Sequence, residues 1–233
     1  MKYLFVILVL VNASFYSNII SDFNTIVNFF SIKKDNKKNE VNFLDNLQEK
    51  VIKDSFKYED SKTTVILGNT NSKIIVEEFV SPSCFGCKIF YKNFFNKLKK
   101  NYIDTNKIKY VVVEEYHNVQ DFYANILLRC AKRKGGDNLY LKIKEVIFQK
   151  QNLWATTKEF KKMLTGIGNN LGITKEEYEE CINDQNINHE LLVLNRAISK
   201  KYSILATPAL IINGIPYEEE KDIIKALDDL IDK

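Results

Sequence analysis

Cys84 and Cys87 stand three apart in the stretch Val76-Glu77-Glu78-Phe79-Val80-Ser81-Pro82-Ser83-Cys84-Phe85-Gly86-Cys87-Lys88, where an apolar strand pattern gives way to a helical one. A cysteine in the first turn of a helix meets backbone N–H groups with no intrahelical partner and the positive end of the helix dipole, and both favour thiolate over thiol. The thiolate is the attacking species in disulfide exchange. A second cysteine one turn on can close a short disulfide, or open a mixed one from within the same molecule. On this reading Cys84 is the solvent-facing nucleophile and Cys87 the more buried resolving thiol. A structural staple and half of a zinc site are the competing readings. Zinc needs four nitrogen or sulfur ligands. The chain has two histidines, His117 and His189, and no second Cys-x-x-Cys pair, so the pair reads as a redox centre without metal or cofactor. Neither histidine lies in a recognisable motif, and both read as surface or packing residues.

The surrounding pattern says what positions these thiols. Residues 63–67 and 73–80 read as two strands around the turn Gly68-Asn69-Thr70-Asn71-Ser72. After Cys84, the spacing of Ile89, Phe90, Phe94, Phe95 and Leu98 predicts an amphipathic helix with an aromatic stripe toward the core. Ile108, Tyr110, Val111, Val112 and Val113 then read as a strand buried on both faces, so the order strand, helix, strand predicts a parallel crossover. Residues 121–202 have helical rhythm throughout, with breaks expected at Gly135-Gly136, Gln151-Asn152, Gly166-Ile167-Gly168 and Gly172. Thr174, with Glu176 and Glu177 just after it, predicts a helix start. Residues 206–217 read as strand, Asn213-Gly214 turn, strand, and a last helix follows over 219–231.

At 233 residues the chain is long enough to bury a full core, and 27% charged residues with 45% hydrophobic ones is ordinary globular composition. The net charge of +4 comes from lysines scattered along the chain with no basic stripe, which argues against nucleic acid as a partner. The opening Met1-Lys2, the apolar run to Val11 and the small residues around Ala13 have the three parts of a secretory signal, ending at residue 13 or as late as 17. A retained membrane anchor is the alternative. The run is shorter than the about 20 apolar residues of a spanning helix and is broken at Asn12, which favours cleavage. Residues 14–60 read as a leader followed by one helix. Export brings four cysteines (Cys84, Cys87, Cys130, Cys181) into an oxidising compartment, where an even number points to pairs.

Taken together, Cys84-Phe85-Gly86-Cys87, Arg129-Cys130-Ala131, Tyr178-Glu179-Glu180-Cys181 and Ala206-Thr207-Pro208 before the Asn213-Gly214 turn resemble, in order and placement, the DsbA-like family of exported thiol-disulfide oxidoreductases. The resemblance implies an α/β thioredoxin-like fold split by an inserted helical domain, with residues 61–120 and 203–233 as its two parts and 121–202 as the insertion. It implies a cis peptide at Pro208 facing the redox pair, with the Thr207 backbone as a strand-like contact for an extended substrate. It also places a buried acid at Glu78, where a carboxylate could take the proton of the resolving thiol. Phe85, beside the nucleophile, would give an apolar rim for unfolded chains. The remaining Cys130 and Cys181, both on predicted helices of an exported chain, are expected to form a structural disulfide. One departure matters: strong oxidants of the family carry Pro-His where this chain has Phe85-Gly86. The implied function is the introduction of disulfides into folding, cysteine-containing proteins in the periplasm, by a monomer recharged by a membrane redox partner. A disulfide isomerase or reductase, and a non-catalytic copper(I)-binding thiol module, are the alternatives.

Overall fold

The structure is a computed structural model that describes Tyr58, Ser61 and residues 63–232. The expected signal segment, and the leader helix apart from Tyr58, lie outside the described residues. The β-branched valines fall in β3 (Lys109–Glu114), all six of whose residues are buried. Both faces are covered, Tyr110 and Val112 packing in one core and Val111 and Val113 in the other, and β3 has neighbours on both edges. It runs antiparallel to β1 (Val65–Gly68), with Val65 opposite Val112, and parallel to β2 (Ile75–Val80), with Glu78 opposite Val112. On its other edge β2 pairs antiparallel with β4 (Ala209–Ile212), which pairs with β5 (Ile215–Tyr217), giving the sheet order β1-β3-β2-β4-β5. The turn after Gly68 thus joins two strands that are not neighbours. The more apolar β3 takes the place between them, because a strand buried on both faces belongs in the sheet interior.

Alternation along β2 sends Val76, Glu78 and Val80 to one face and Glu77 and Phe79 to the other. The first face packs on α1 (Phe85–Phe90), which continues through wider π-type turns at Tyr91–Phe95 and Lys99–Ile103, and on the inserted helices and α8 (Glu220–Ile231). The aromatic stripe Phe90, Phe94, Phe95 and Leu98 is buried as expected from its spacing, while Ile89 stays exposed. Successive helical residues point about 100° apart, so only one of Ile89 and Phe90 can face the sheet. The second face packs Phe79, Val111, Val113 and Ile211 against Ile198 and Tyr202, and there Glu77 accepts a 2.5 Å hydrogen bond from the Tyr58 hydroxyl.

Between β3 and β4 lie the helices α2 (Val119–Gln149), α3 (Gln151–Trp154), α4 (Phe160–Asn170), α5 (Lys175–Ile182), α6 (Gln185–His189) and α7 (Asn195–Lys201). At Gly135-Gly136 the path of α2 kinks: Gly136 has φ 67°, a left-handed conformation that glycine adopts without steric cost. Gly166 and Gly168 do not break a helix as their spacing predicts. They lie inside α4, where Gly168 is buried and a Cβ on it would come within 3.1 Å of Leu127, so the glycine is there for close packing against α2. Thr174 caps α5 in a reciprocal capping box with Glu177. Asn213 (φ 48°) and Gly214 (φ 84°) make the tight hairpin turn between β4 and β5.

Cys130 on α2 and Cys181 on α5 are joined by a disulfide that closes a separation of 51 residues. On the loop-entropy scale such a cross-link stabilises the chain by about 4 kcal/mol. Cys130→Ala together with Cys181→Ala is therefore expected to lower unfolding free energy by about that amount in denaturant titration, while leaving the titration of Cys84 in place. Among the described residues no helix is long and apolar enough to cross a membrane.

Candidate active site

Cys84 is the residue that caps α1. Its backbone is extended, and its sulfur accepts a 3.2 Å hydrogen bond from the Cys87 N–H, one of the otherwise unpaired donors of the first turn. On its other side the Cys84 thiol donates to the Thr207 carbonyl oxygen at 3.1 Å, across the loop that carries the cis Thr207–Pro208 peptide. Gly86 lets that loop come close. A Cβ at Gly86 would stand 3.2 Å from Pro208 Cδ and 3.7 Å from the Cys84 sulfur. Both cysteines are free thiols here, so the structure is that of the reduced pair.

The two sulfurs live in unlike surroundings. Cys84 is half-buried, and its thiol is drawn from the ordinary 9.0 down to about 6. The largest cause is the hydrogen bond from the Cys87 side chain. Burial opposes it, and the Thr207 side chain and the backbone N–H groups of Cys87 and Gly86 add to it. Cys87 is fully buried, and burial first, then its hydrogen bond to Cys84, push its thiol far up. One sulfur is thus available as thiolate at neutral pH, and the other is held as thiol beside it.

Contacts from distant parts of the chain hold the pair's approach segment. The buried carboxylate of Asp121, in the first turn of α2, accepts from the Ser83 N–H at 2.6 Å and from the His117 N–H at 3.1 Å. Asn118, the cap of α2, donates to the Ser83 hydroxyl at 3.0 Å. Buried Gln151, which opens α3, donates through Nε2 to the carbonyls of Pro82 (2.8 Å) and Cys84 (2.9 Å). Phe85 is 65% exposed next to the nucleophile, and Leu205, two residues before Thr207, is 94% exposed.

A family model described as thioredoxin matches residues 60–233. The chain belongs to the thioredoxin family. A Rickettsia bellii protein named “Putative protein-disulfide oxidoreductase” is 36% identical over 184 residues, covering 79% of this chain and 68% of that protein. A Rickettsia prowazekii protein of the same description is 38% identical over 181 residues, covering 75% of this chain. The chain spans 65% of the length of that second relative. Among solved structures, Wolbachia pipientis α-DsbA1 has a TM-score of 0.64 at 23% identity over 72% of this chain and 90% of its own. Chlamydia trachomatis DsbA has a TM-score of 0.60 at 21% identity over 76% and 95%. The fold of this thioredoxin-family chain is therefore that of the DsbA proteins, a thioredoxin-like α/β unit with a helical insertion.

Within that frame the structure brings Cys84, Cys87, Thr207 and Pro208 together and leaves Phe85 at their edge. Glu78 lies on the buried face of β2, as alternation from Val76 requires, and its Oε2 accepts from Lys144 Nζ at 2.8 Å, with both side chains buried. The fully buried Tyr110 hydroxyl also interacts with the Glu78 carboxylate. Lys144 comes from the second half of α2, so the family's strand and the inserted helix share one buried ion pair. In the sequence Gln151 marks only a helix break, and Asp121 and Lys144 are ordinary helix residues. Each acts across 38 residues or more, and nothing local marks a Gln or Lys on an amphipathic helix as inward-facing. Asp121 carried a signal: an Asn-x-x-Asp helix start directly after a buried strand. His117, read as a surface or packing residue, is exposed but stands at the site, its Nε2 3.4 Å from the Thr207 hydroxyl.

Proposed function

We propose that this chain is an exported thiol-disulfide oxidoreductase that passes a Cys84–Cys87 disulfide to folding, cysteine-containing proteins. A substrate thiolate attacks the Cys84 sulfur, the Cys84–Cys87 bond breaks, and Cys87 leaves and takes up a proton. A second substrate thiolate then attacks the substrate sulfur of the mixed disulfide, and Cys84 departs as thiolate. Two electrons have moved from the substrate dithiol to the Cys84–Cys87 pair, and a membrane oxidase returns the pair to the disulfide. The reading rests on one observation, the unlike surroundings of the two sulfurs. A leaving thiol drawn down to about 6 departs readily, and a pair whose thiolate is stabilised favours its reduced form, which makes its disulfide an oxidant.

The neighbouring residues take roles consistent with this. Pro208 has no N–H to donate, and Thr207 presents backbone to a substrate lying extended along the loop. Phe85 supplies apolar contact for an unfolded chain. When the pair is reoxidised or a mixed disulfide is resolved, Cys87 must lose its proton, and Glu78, a buried carboxylate on the strand that leads to the site, accepts it. Export to the periplasm is read from the signal-like first residues.

The reduction potential of Cys84–Cys87, equilibrated against glutathione, tests the direction of electron flow. The expected value is less negative than about −200 mV, on the oxidant side of a scale that runs from about −120 mV for DsbA to about −270 mV for thioredoxin. A value at the thioredoxin end would assign the reductase or isomerase role instead. Tight copper(I) binding with no dithiol transition would remove the enzyme reading.

A further inference from the structure

The contacts around the redox pair close into a ring. The Cys84 sulfur meets Thr207, the Thr207 hydroxyl meets His117, the His117 N–H meets Asp121, and Asp121 returns to the Ser83 N–H beside Cys84. The dipeptide Phe85-Gly86 brings no ionisable side chain between the cysteines, so the imidazole in this ring comes from outside the motif. Among the described residues, His117 is joined to Asp121 on α2 through its backbone N–H, and to Cys84 on α1 by way of Thr207.

We propose that His117 is a positioning residue for the redox pair, acting through Thr207: its ring turns the Thr207 hydroxyl so that the hydroxyl proton faces the Cys84 sulfur. This rests on the reading of Cys84 as the nucleophile. In the thiol form the Cys84 S–H donates to the Thr207 carbonyl at 3.1 Å. A carbonyl oxygen can accept an S–H but cannot stabilise a thiolate, so ionisation costs that contact unless a donor replaces it. The Thr207 hydroxyl is such a donor, and it has one proton and two lone pairs. With a proton on Nε2, the imidazole donates to a lone pair of Thr207 Oγ1 and leaves the hydroxyl proton for the sulfur. An unprotonated Nε2 would compete for that proton. The backbone bond from His117 to Asp121 fixes where the ring starts, and Asp121 holds Ser83 by its other oxygen, so ring and nucleophile are registered to the same carboxylate.

The test is the thiolate absorbance of the reduced protein followed against pH in H117A, H117Q, T207V and the double variant H117A/T207V. H117A is expected to raise the Cys84 midpoint by about half a unit, about a threefold loss of thiolate at fixed pH below it. H117Q, whose amide N–H reaches to the place of Nε2, is expected to stay near the native midpoint. In the T207V background H117A is expected to add nothing. An H117A shift of equal size in both backgrounds, or no shift at all, overturns the proposal. If the native protein showed no midpoint below the ordinary 9.0, the nucleophile reading itself would fall, which separates that failure from the failure of the relay.

Discussion

Cys84→Ala is expected to abolish disulfide transfer, whereas Cys87→Ala is expected to keep a reactive thiol and to accumulate mixed disulfide with substrate. The asymmetry follows from position. Cys84 is the half-buried cap of α1, while Cys87 is fully enclosed one turn in. Only Cys84 can be attacked by a protein thiol, so no residual route remains when it is lost. Without Cys87 the mixed disulfide lacks its internal resolving thiol. Acid-quenched alkylation followed by non-reducing electrophoresis reads both outcomes. Equal loss of function with no trapped species in Cys87→Ala would reverse or dissolve the division of labour.

The same geometry sets a pH profile. With the Cys84 thiol drawn down to about 6, its alkylation rate is expected to climb through that pH and level off by about one unit above it. Stability of the reduced protein should follow the proton count. Between about 6 and the ordinary 9.0 the folded chain holds Cys84 as thiolate while the unfolded chain keeps the proton, so stability rises with pH across that window. Above 9.0 the unfolded chain also ionises Cys87, which the folded chain keeps as thiol, and this second contribution lowers stability again. The oxidised protein has neither thiol to titrate there, so denaturant midpoints of the two forms against pH isolate the effect.

What was legible in the sequence was what short spacing encodes. The Cys84–Cys87 pair at a strand-to-helix junction, the β-branched run of β3 and the Asn213-Gly214 turn each carry their conformation within a few residues. Thr174 with Glu177 is a complete cap in four residues. What was not legible depends on which distant elements meet. The turn after Gly68 looks like a hairpin, and only the stronger claim of β3 on the interior separates β1 from β2. Gly166 and Gly168 look like a break, yet packing against Leu127 outweighs their poor helix propensity. His117 and Gln151 looked unremarkable because their partners, Thr207 and the Pro82 and Cys84 carbonyls, lie 67 to 90 residues away. The thiols were readable, but the side chains that aim them were not.

Glu78 and Lys144 are where stability and chemistry must be separated. The two charges are buried and paired at 2.8 Å, with the Lys144 ammonium also 5.6 Å from the ring centres of Tyr91 and Phe95. Removing one partner leaves the other charge buried and unpaired, which costs about 3–5 kcal/mol. Lys144→Met is therefore expected to destabilise the protein by that amount in denaturant titration. Replacing both, Glu78→Leu with Lys144→Met, removes both desolvation penalties along with the attraction, and such exchanges are often neutral or stabilising. The double variant is expected to recover most of the loss, and the cycle of single and double variants gives the coupling. That recovered variant is the one in which to ask about the proton. If Glu78 takes the proton of Cys87, the folded double variant should resolve a mixed disulfide about 10²-fold more slowly or worse, in keeping with the loss of a positioned base. A double variant that is stable and resolves at the native rate would reduce Glu78 to the counter-ion that fastens β2 to the inserted helix, and the Cys87 proton would have to leave by another path.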